Sequence, residues 1–223
     1  MKNIEILKEN IIAHKGVHNQ DIIENTLKAF TKCVDKNYVI ELDIHILSDN
    51  TIVVYHDFNL KRLTGVNKII ETQSYAQLSK IKIKNKYTIP TLKQVMNIVD
   101  GKVPLLIEIK DLDNNIKFEK ELVKLLDNYK GAFAIQSINP FTVEWFLKNR
   151  KNYIVGIVIY NDFNYKMIKK YINKVDFISI YKKKLPTKIN LKKKLLLGYT
   201  IDSLEEYNRY IKYCDNLICE KFI

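Results

Sequence analysis

The chain has 223 residues and a formal net charge of +12, with 47% apolar and 11% aromatic residues. That length holds a full α/β core in one domain spanning residues 1–223, and that composition excludes a disordered or collagen-like chain. Three cysteines (Cys33, Cys214, Cys219) form an odd set without metal-type spacing, which excludes a disulfide scaffold and points to a reducing, cytoplasmic setting. Charges interrupt the apolar positions of the first eight residues, so no signal core is read there. No stretch reaches the ~20 apolar residues of a membrane span.

Much of the positive excess is local. Residues 166–194 carry eleven lysines against the single acid Asp176. A run of this kind reads first as a solvated face, not as a nucleic-acid surface; attraction to an anionic membrane surface is the secondary reading.

In chain order, Ile11–His14 reads as a short buried strand ending at His14, followed by Lys15-Gly16. Leu27, Phe30 and Val34 lie at helical spacing within a helix expected over residues 24–36. Residues 38–46 form the second strand, in which Glu41, Asp43 and His45 alternate with apolar residues and so share one face. Ser48–Thr51 reads as a tight turn with Asp49 and Asn50 as its two loop residues, and Ile52–Tyr55 as the returning strand. In that register paired positions sum to 99, which sets His56 opposite Asp43 with Glu41 two residues along. Residues 57–65 read as a loop and 66–90 as irregular, with one helical turn near 75–79. A helix then runs from Pro90-Thr91 to about Val99.

Strands and helices alternate thereafter. Strands are expected at 103–109, 132–136, 153–159, 176–180, 195–199 and 216–219, with helices at 116–128, 140–150, 163–172 and 203–213. The link from Ile46 to Ile52 is too short for a parallel crossover, so 52–56 is an antiparallel flap. Eight parallel strands remain, the number that closes a TIM (β/α)8 barrel. No helix follows the eighth strand. Residues 3–10 or a second subunit in a homo-oligomer would have to cover what that leaves open.

Polar residues fall at the strand ends, where such barrels place their chemistry. They are His14, Glu41, Asp43, Glu108, Lys110, Gln136, Ser137, Tyr199 and Glu220. Glu41, Asp43 and Glu108 offer hard oxygens suited to Ca²⁺ or Mg²⁺. His14 and His56 can act as base and acid near neutral pH, and Lys15 and Lys110 add charge for a phosphate. The set suggests cleavage of a phosphodiester.

The ordered motifs resemble the glycerophosphodiester phosphodiesterase family. They are His14-Lys-Gly16, Glu24-Asn-Thr26, Glu41-x-Asp43, His56-Asp57 with Arg62, Ile89-Pro-Thr-Leu92, Ile107-Glu-Ile-Lys110 and Ile135-Gln-Ser137. The resemblance fades through Leu197–Thr200 and Asp215–Glu220. It implies a TIM barrel with His14 and His56 as the acid–base pair and Glu41, Asp43 and Glu108 holding a divalent cation. Lys15, Lys110, Gln136 and Tyr199 would contact a small-molecule phosphodiester, which would yield an alcohol and sn-glycerol 3-phosphate. Departures from the family pattern are Lys15 for Arg, Ile23 for Pro, Tyr199 for Trp, and Cys219-Glu220 for Thr-Asp. Two alternatives accompany this reading: a phospholipase D-like activity on lysophospholipids, and a non-catalytic phosphate- or polyanion-binding barrel using the 166–194 face. His45 reads as structural or as a rim residue, and His18 as a solvated loop residue at the mouth.

Overall fold

A computed structural model describes residues 2–111, 116–187 and 194–223. The chain begins with a 3₁₀ turn, Ile4–Leu7. It continues through β1 (Ile12–Ala13), α1 (Leu27–Asp35), β2 (Val39–Ile46) and β3 (Ile52–Val54). The insertion after β3 contains the single-turn helices α2 (Lys61–Thr64) and α3 (Tyr75–Leu78) and a small hairpin, β4 (Lys82–Ile83) with β5 (Tyr87–Thr88). Then come α4 (Leu92–Val99), β6 (Leu105–Ile109), α5 (Lys117–Leu126), β7 (Phe133–Ser137) and α6 (Pro140–Asn149). The remainder is β8 (Ile154–Ile159), α7 (Asp162–Ile168), β9 (Phe177–Tyr181), β10 (Leu195–Ile201), α8 (Leu204–Tyr210) and β11 (Asn216–Cys219).

Eight strands pair in parallel in the order β1, β2, β6, β7, β8, β9, β10, β11, and β11 returns to β1 to close the barrel. β3 pairs antiparallel with the last residues of β2, Ile44–Ile46, beyond the short pairing of β2 with β1. Helix starts follow side-chain chemistry. Thr91 Oγ1 accepts from the Gln94 N–H, and the Gln94 side chain accepts from the Thr91 N–H in return. Asn139 caps α6 with Pro140 at its first position. The first helix begins at Leu27, later than the periodicity suggests, because Asn25 takes a positive φ of 55° and Thr26 is extended. The Thr26 hydroxyl then caps the Ala29 N–H.

Two layers of apolar residues surround the strands. Outward residues such as Ile40, Leu42, Ile44, Leu105 and Ile107 pack against α1, α4 and α5 through Phe30, Val95, Val99 and Leu122. Inside, the lower barrel is filled by Ile12, Val39, Leu106, Phe177, Leu197 and Ile218, and Leu7 packs beneath them. Asn216 Nδ2 donates to the Leu7 and Asn10 carbonyls at 2.9 and 2.8 Å, which ties the N-terminal segment to the floor. Gly156 lacks a side chain where the Phe177 ring crosses the interior. Residues 220–223, after β11, form no helix.

The flap register differs from the sequence expectation. Ile44 pairs with Val54, His45 with Val53 and Ile46 with Ile52, so positions sum to 98. The loop has three residues, Ser48–Asn50, closed by the Leu47 N–H to the Thr51 carbonyl, with Asn50 left-handed at φ 69°. One added loop residue moves the pairing by one, so Tyr55, not His56, lies opposite Asp43. His56 falls beyond the last paired residue of β3, where strand alternation no longer fixes its side chain. The insertion also holds a small core of its own (Val53, Tyr55, Leu60, Leu63, Ile70, Leu78), which the irregular reading of 66–90 missed.

Candidate active site

Glu41 and Asp43 lie two apart on β2 and point into the barrel mouth with Glu108 of β6. Asp43 is in register with Glu108, and Glu108 with Gln136. One oxygen from each of Glu41, Asp43 and Glu108 lies within 4.8 Å of the others. All three are buried.

Their partners are unequal. Lys110 Nζ sits 3.0 Å from Asp43 Oδ1 and hydrogen-bonds Glu108. Gln136 Nε2 donates to Glu108 Oε2 at 3.3 Å, and Ser179 Oγ donates to Gln136 Oε1 at 2.6 Å. Among the described residues Glu41 accepts only the Lys15 backbone N–H, at 3.0 Å. Burial, with the charges of Asp43 and Glu108 behind it, therefore raises the Glu41 carboxyl well above its ordinary value. Burial acts the same way on Asp43, but the charges of Lys110, His56, Lys15 and His14 outweigh it and hold Asp43 low. A divalent cation fits this set: three hard oxygens converge, and one of the carboxyls favours a proton in the cation's place. Nearby, Asn25 Nδ2 donates to Asp43 Oδ2 at 3.0 Å, and Asn25 Oδ1 is buried without a hydrogen-bond partner.

The Lys15 N–H reaches Glu41 because Lys15 and Gly16 both take positive φ, 57° and 79°. Gly16 is required there: a side chain would lie 2.9 Å from Ala29 Cβ.

Both histidines have the same local arrangement. His14 Nδ1 donates to Glu220 Oε2 at 2.7 Å, and His56 Nδ1 donates to Asp57 Oδ1 at 2.7 Å. Each carboxylate fixes a tautomer that leaves Nε2 free to take up a proton. Burial pushes His14 below the ordinary imidazole value, and the Glu220 contact offsets part of that. Burial also acts to raise Glu220, but its contacts with His14 and His18 prevail and hold it well below the usual carboxylate range. His18 is not a solvated loop residue. Its side chain is 15% exposed, with Nε2 3.6 Å from Glu220 Oε2.

An ion-pair chain braces His56. Arg62 Nε donates to Asp57 Oδ2 at 2.6 Å while its Nη atoms donate to both Glu24 oxygens at 3.0 and 2.6 Å. Lys15 Nζ reaches Glu24 Oε1 at 3.4 Å. The buried His45 approaches the His56 carbonyl through Nε2 at 3.3 Å and Glu71 through Nδ1 at 3.0 Å, with its ring against Phe58, so it is structural as expected.

His14, Lys15, Glu41, Asp43, His56, Glu108, Lys110 and Gln136 thus lie on the same barrel mouth. Tyr199 stands on the far side, close enough to Glu108 and Lys110 to feel their charges, with its hydroxyl donating to the Ile159 carbonyl at 3.2 Å. Sequence reasoning gave no role to Glu220 and His18. The signals available were Glu220 at the last strand end and the Glu24-Asn25 pair. Of the basic run, Lys188, Lys192 and Lys193 lie outside the described residues. Among the described residues no helix is long and apolar enough to cross a membrane.

Comparison with known proteins agrees with this geometry. A phosphodiesterase of Oleispira antarctica, solved in complex with sn-glycerol-3-phosphate, superposes with a TM-score of 0.81 at 18% identity, covering 94% of this chain and 92% of that one. A glycerophosphodiester phosphodiesterase of Thermotoga maritima gives 0.78 at 22% identity, covering 95% and 94%. At those identities the likeness is one of fold. The mouse lysophospholipase D GDPD1 is 37% identical over 129 residues, 51% of this chain and 40% of the relative. The Bacillus subtilis protein YhdW is 33% identical over 136 residues, 57% of this chain and 55% of that protein. The chain thus spans about half the length of these curated relatives. The profile of the glycerophosphoryl diester phosphodiesterase family matches residues 14–211, most of the chain, and the chain belongs to that family.

Proposed function

We propose that this barrel hydrolyses glycerophosphodiesters to an alcohol and sn-glycerol 3-phosphate. The observation that carries the proposal is the pair of imidazoles, each with Nδ1 on a carboxylate and Nε2 free, at the same mouth as three buried carboxylates and Lys110. Glu41, Asp43 and Glu108 would hold Ca²⁺ or Mg²⁺, which when bound offsets negative charge on the phosphoryl oxygens. Lys15 and Lys110 add positive charge beside the phosphate, Gln136 orients Glu108, and Tyr199 lines the side where the alcohol departs.

In the first step one imidazole Nε2 takes the proton of the glycerol 2-hydroxyl as that oxygen attacks phosphorus. The other imidazole, protonated, gives its proton to the departing alkoxide as the P–O bond breaks. A cyclic phosphate remains. In the second step the roles reverse: the second imidazole takes a proton from water, the water oxygen bonds to phosphorus, and the first returns its proton to the glycerol oxygen. Glu220 and Asp57 stabilise whichever imidazolium forms. The three free cysteines support a reducing, cytoplasmic setting.

A second reading, release of the head group from lysophospholipids, is favoured by the match to the mouse lysophospholipase D. It uses the same residues on an acylated glycerol.

The test is turnover of a panel of glycerophosphodiesters and lysophospholipids, with and without Ca²⁺ or Mg²⁺, by the parent and by His14→Ala and His56→Ala. Each substitution is expected to lower kcat about 10²–10⁴-fold with the fold intact. Parent-like turnover in either variant overturns the assignment. A parent that binds phosphate compounds but turns none over supports a binding barrel instead.

A further inference from the structure

We propose that the barrel mouth is also a docking surface for an anionic lipid bilayer, so that the site meets phosphodiesters of amphiphiles at the membrane. Scattered apolar residues are ordinary on a protein surface; their concentration at one end is not. Among the described residues eight large apolar side chains are exposed, and five lie at the mouth end. Ile116, Phe141 and Tyr160 follow the ends of β6, β7 and β8, three consecutive barrel strands, and so form an arc along the rim. Leu204 follows β10, and Ile69 lies in the insertion after β3. Phe141 is 56% and Leu204 61% exposed, each in the first turn of its helix, where nothing in the barrel requires an apolar group.

The charges at the same end complement a negative surface. Several carboxylates at that end are drawn into ion pairs, Glu24 and Asp57 by Arg62, Asp202 by Lys182 and Lys221, Glu206 by Lys182, and Glu205 by Arg209, while the exposed Asp21 has none among the described residues. Lys61, Lys68 and Lys183 are exposed and, among the described residues, have no acid within ion-pair distance. Lys68 is adjacent to the exposed Ile69. Apolar anchors beside unpaired lysines suit the interface of an anionic bilayer, where the apolar groups enter the headgroup boundary and the lysines meet phosphates. This orientation turns the free Nε2 atoms of His14 and His56 toward the lipid headgroups. The proposal rests on the mouth being the active site only for its purpose; the docking itself needs no turnover.

The experiment is co-sedimentation of the full chain with vesicles of phosphatidylglycerol and phosphatidylcholine in equal parts, and with vesicles of phosphatidylcholine alone. The expected result is partition onto the anionic vesicles that weakens with salt. The double variant Phe141→Ser, Leu204→Ser should lower partition about tenfold or more. Lys68→Gln and Lys183→Gln should each lower it about fivefold. All of these should hydrolyse water-soluble glycerophosphodiesters like the parent. Ile98→Ser and Tyr213→Ser, at the floor end, should partition as the parent does. Equal partition onto both vesicle types, floor variants as impaired as mouth variants, or binding to soluble heparin but not to vesicles would each overturn the proposal. His14→Ala should dock like the parent, which separates failure of docking from failure of the catalytic reading.

Discussion

His14 and Glu220 are 206 positions apart in the chain and 2.7 Å apart in space, Nδ1 to Oε2. Closure of the barrel between its first and last strands makes the contact, since the His14 N–H itself donates to the Cys219 carbonyl. The acid–base reading of His14 depends on this pair, and it gives the first prediction.

Glu220→Gln should lower kcat at least about tenfold, because the imidazolium loses its counter-charge. Glu220 raises His14 against the effect of burial, so its removal should move the acid limb of kcat/KM to lower pH. An unmoved limb, or one shifted upward, argues against the pairing. Glu220 is held below its ordinary value of 4.5, so its contribution to stability is present above that pH and is lost as pH falls through the depressed value. Urea unfolding of parent and variant should therefore differ near neutral pH and converge in acid.

Arg62 bridges Asp57 and Glu24 with a geometry that a lysine cannot reproduce. Arg62→Lys should leave global stability within about 1 kcal/mol, since the side chain is half exposed. It should still lower kcat about tenfold by loosening the carboxylate that holds His56. Denaturant midpoints beside steady-state rates check both parts; a large stability loss with unchanged kcat would make Arg62 a fold residue.

Glu41 is the least compensated member of the acidic set. Glu41→Gln replaces a carboxyl that burial and its acidic neighbours disfavour as a carboxylate, so the metal-free protein should gain about 1 kcal/mol or more and melt at a higher temperature. The same variant should lose hydrolysis and lose the rise in Tm that Ca²⁺ or Mg²⁺ gives the parent. A variant that melts lower without metal, yet is still stabilised by the cation, would remove Glu41 from the site.

Gly156 of β8 and Phe177 of β9 are register partners on neighbouring strands, and a methyl group at 156 would overlap the aromatic ring. Gly156→Ala should destabilise by about 1–3 kcal/mol, and Phe177→Leu in the same chain should recover part of that. Additive losses in the double variant would show that the two positions do not compete for space.

Much of the architecture is legible in the sequence because it rests on local regularities. Alternation along β2 places Glu41 and Asp43 on one face whatever the rest of the chain does. Thr91 and Asn139 announce their helices through caps that act within three residues. The short link between β2 and β3 forbids a parallel crossover, which fixes both the flap and the strand count. The turn differs from its local signal: Asp49-Asn50 looks like a two-residue loop, but the left-handed Asn50 closes a three-residue one. That single residue changes the partner of Asp43 from His56 to Tyr55.

The sequence by itself determined which residue types reach the strand ends: two imidazoles, four acids and two lysines on a chain whose periodicity closes a barrel. Only the tertiary structure decided how each is held. Glu220 meets both His14 and His18 because the last strand lies beside the first, and Arg62 ties Asp57 to Glu24 because the insertion folds back over the mouth. Local pattern fixes the face of a strand, but pairing across the barrel depends on closure and loop length, which no short window of sequence contains.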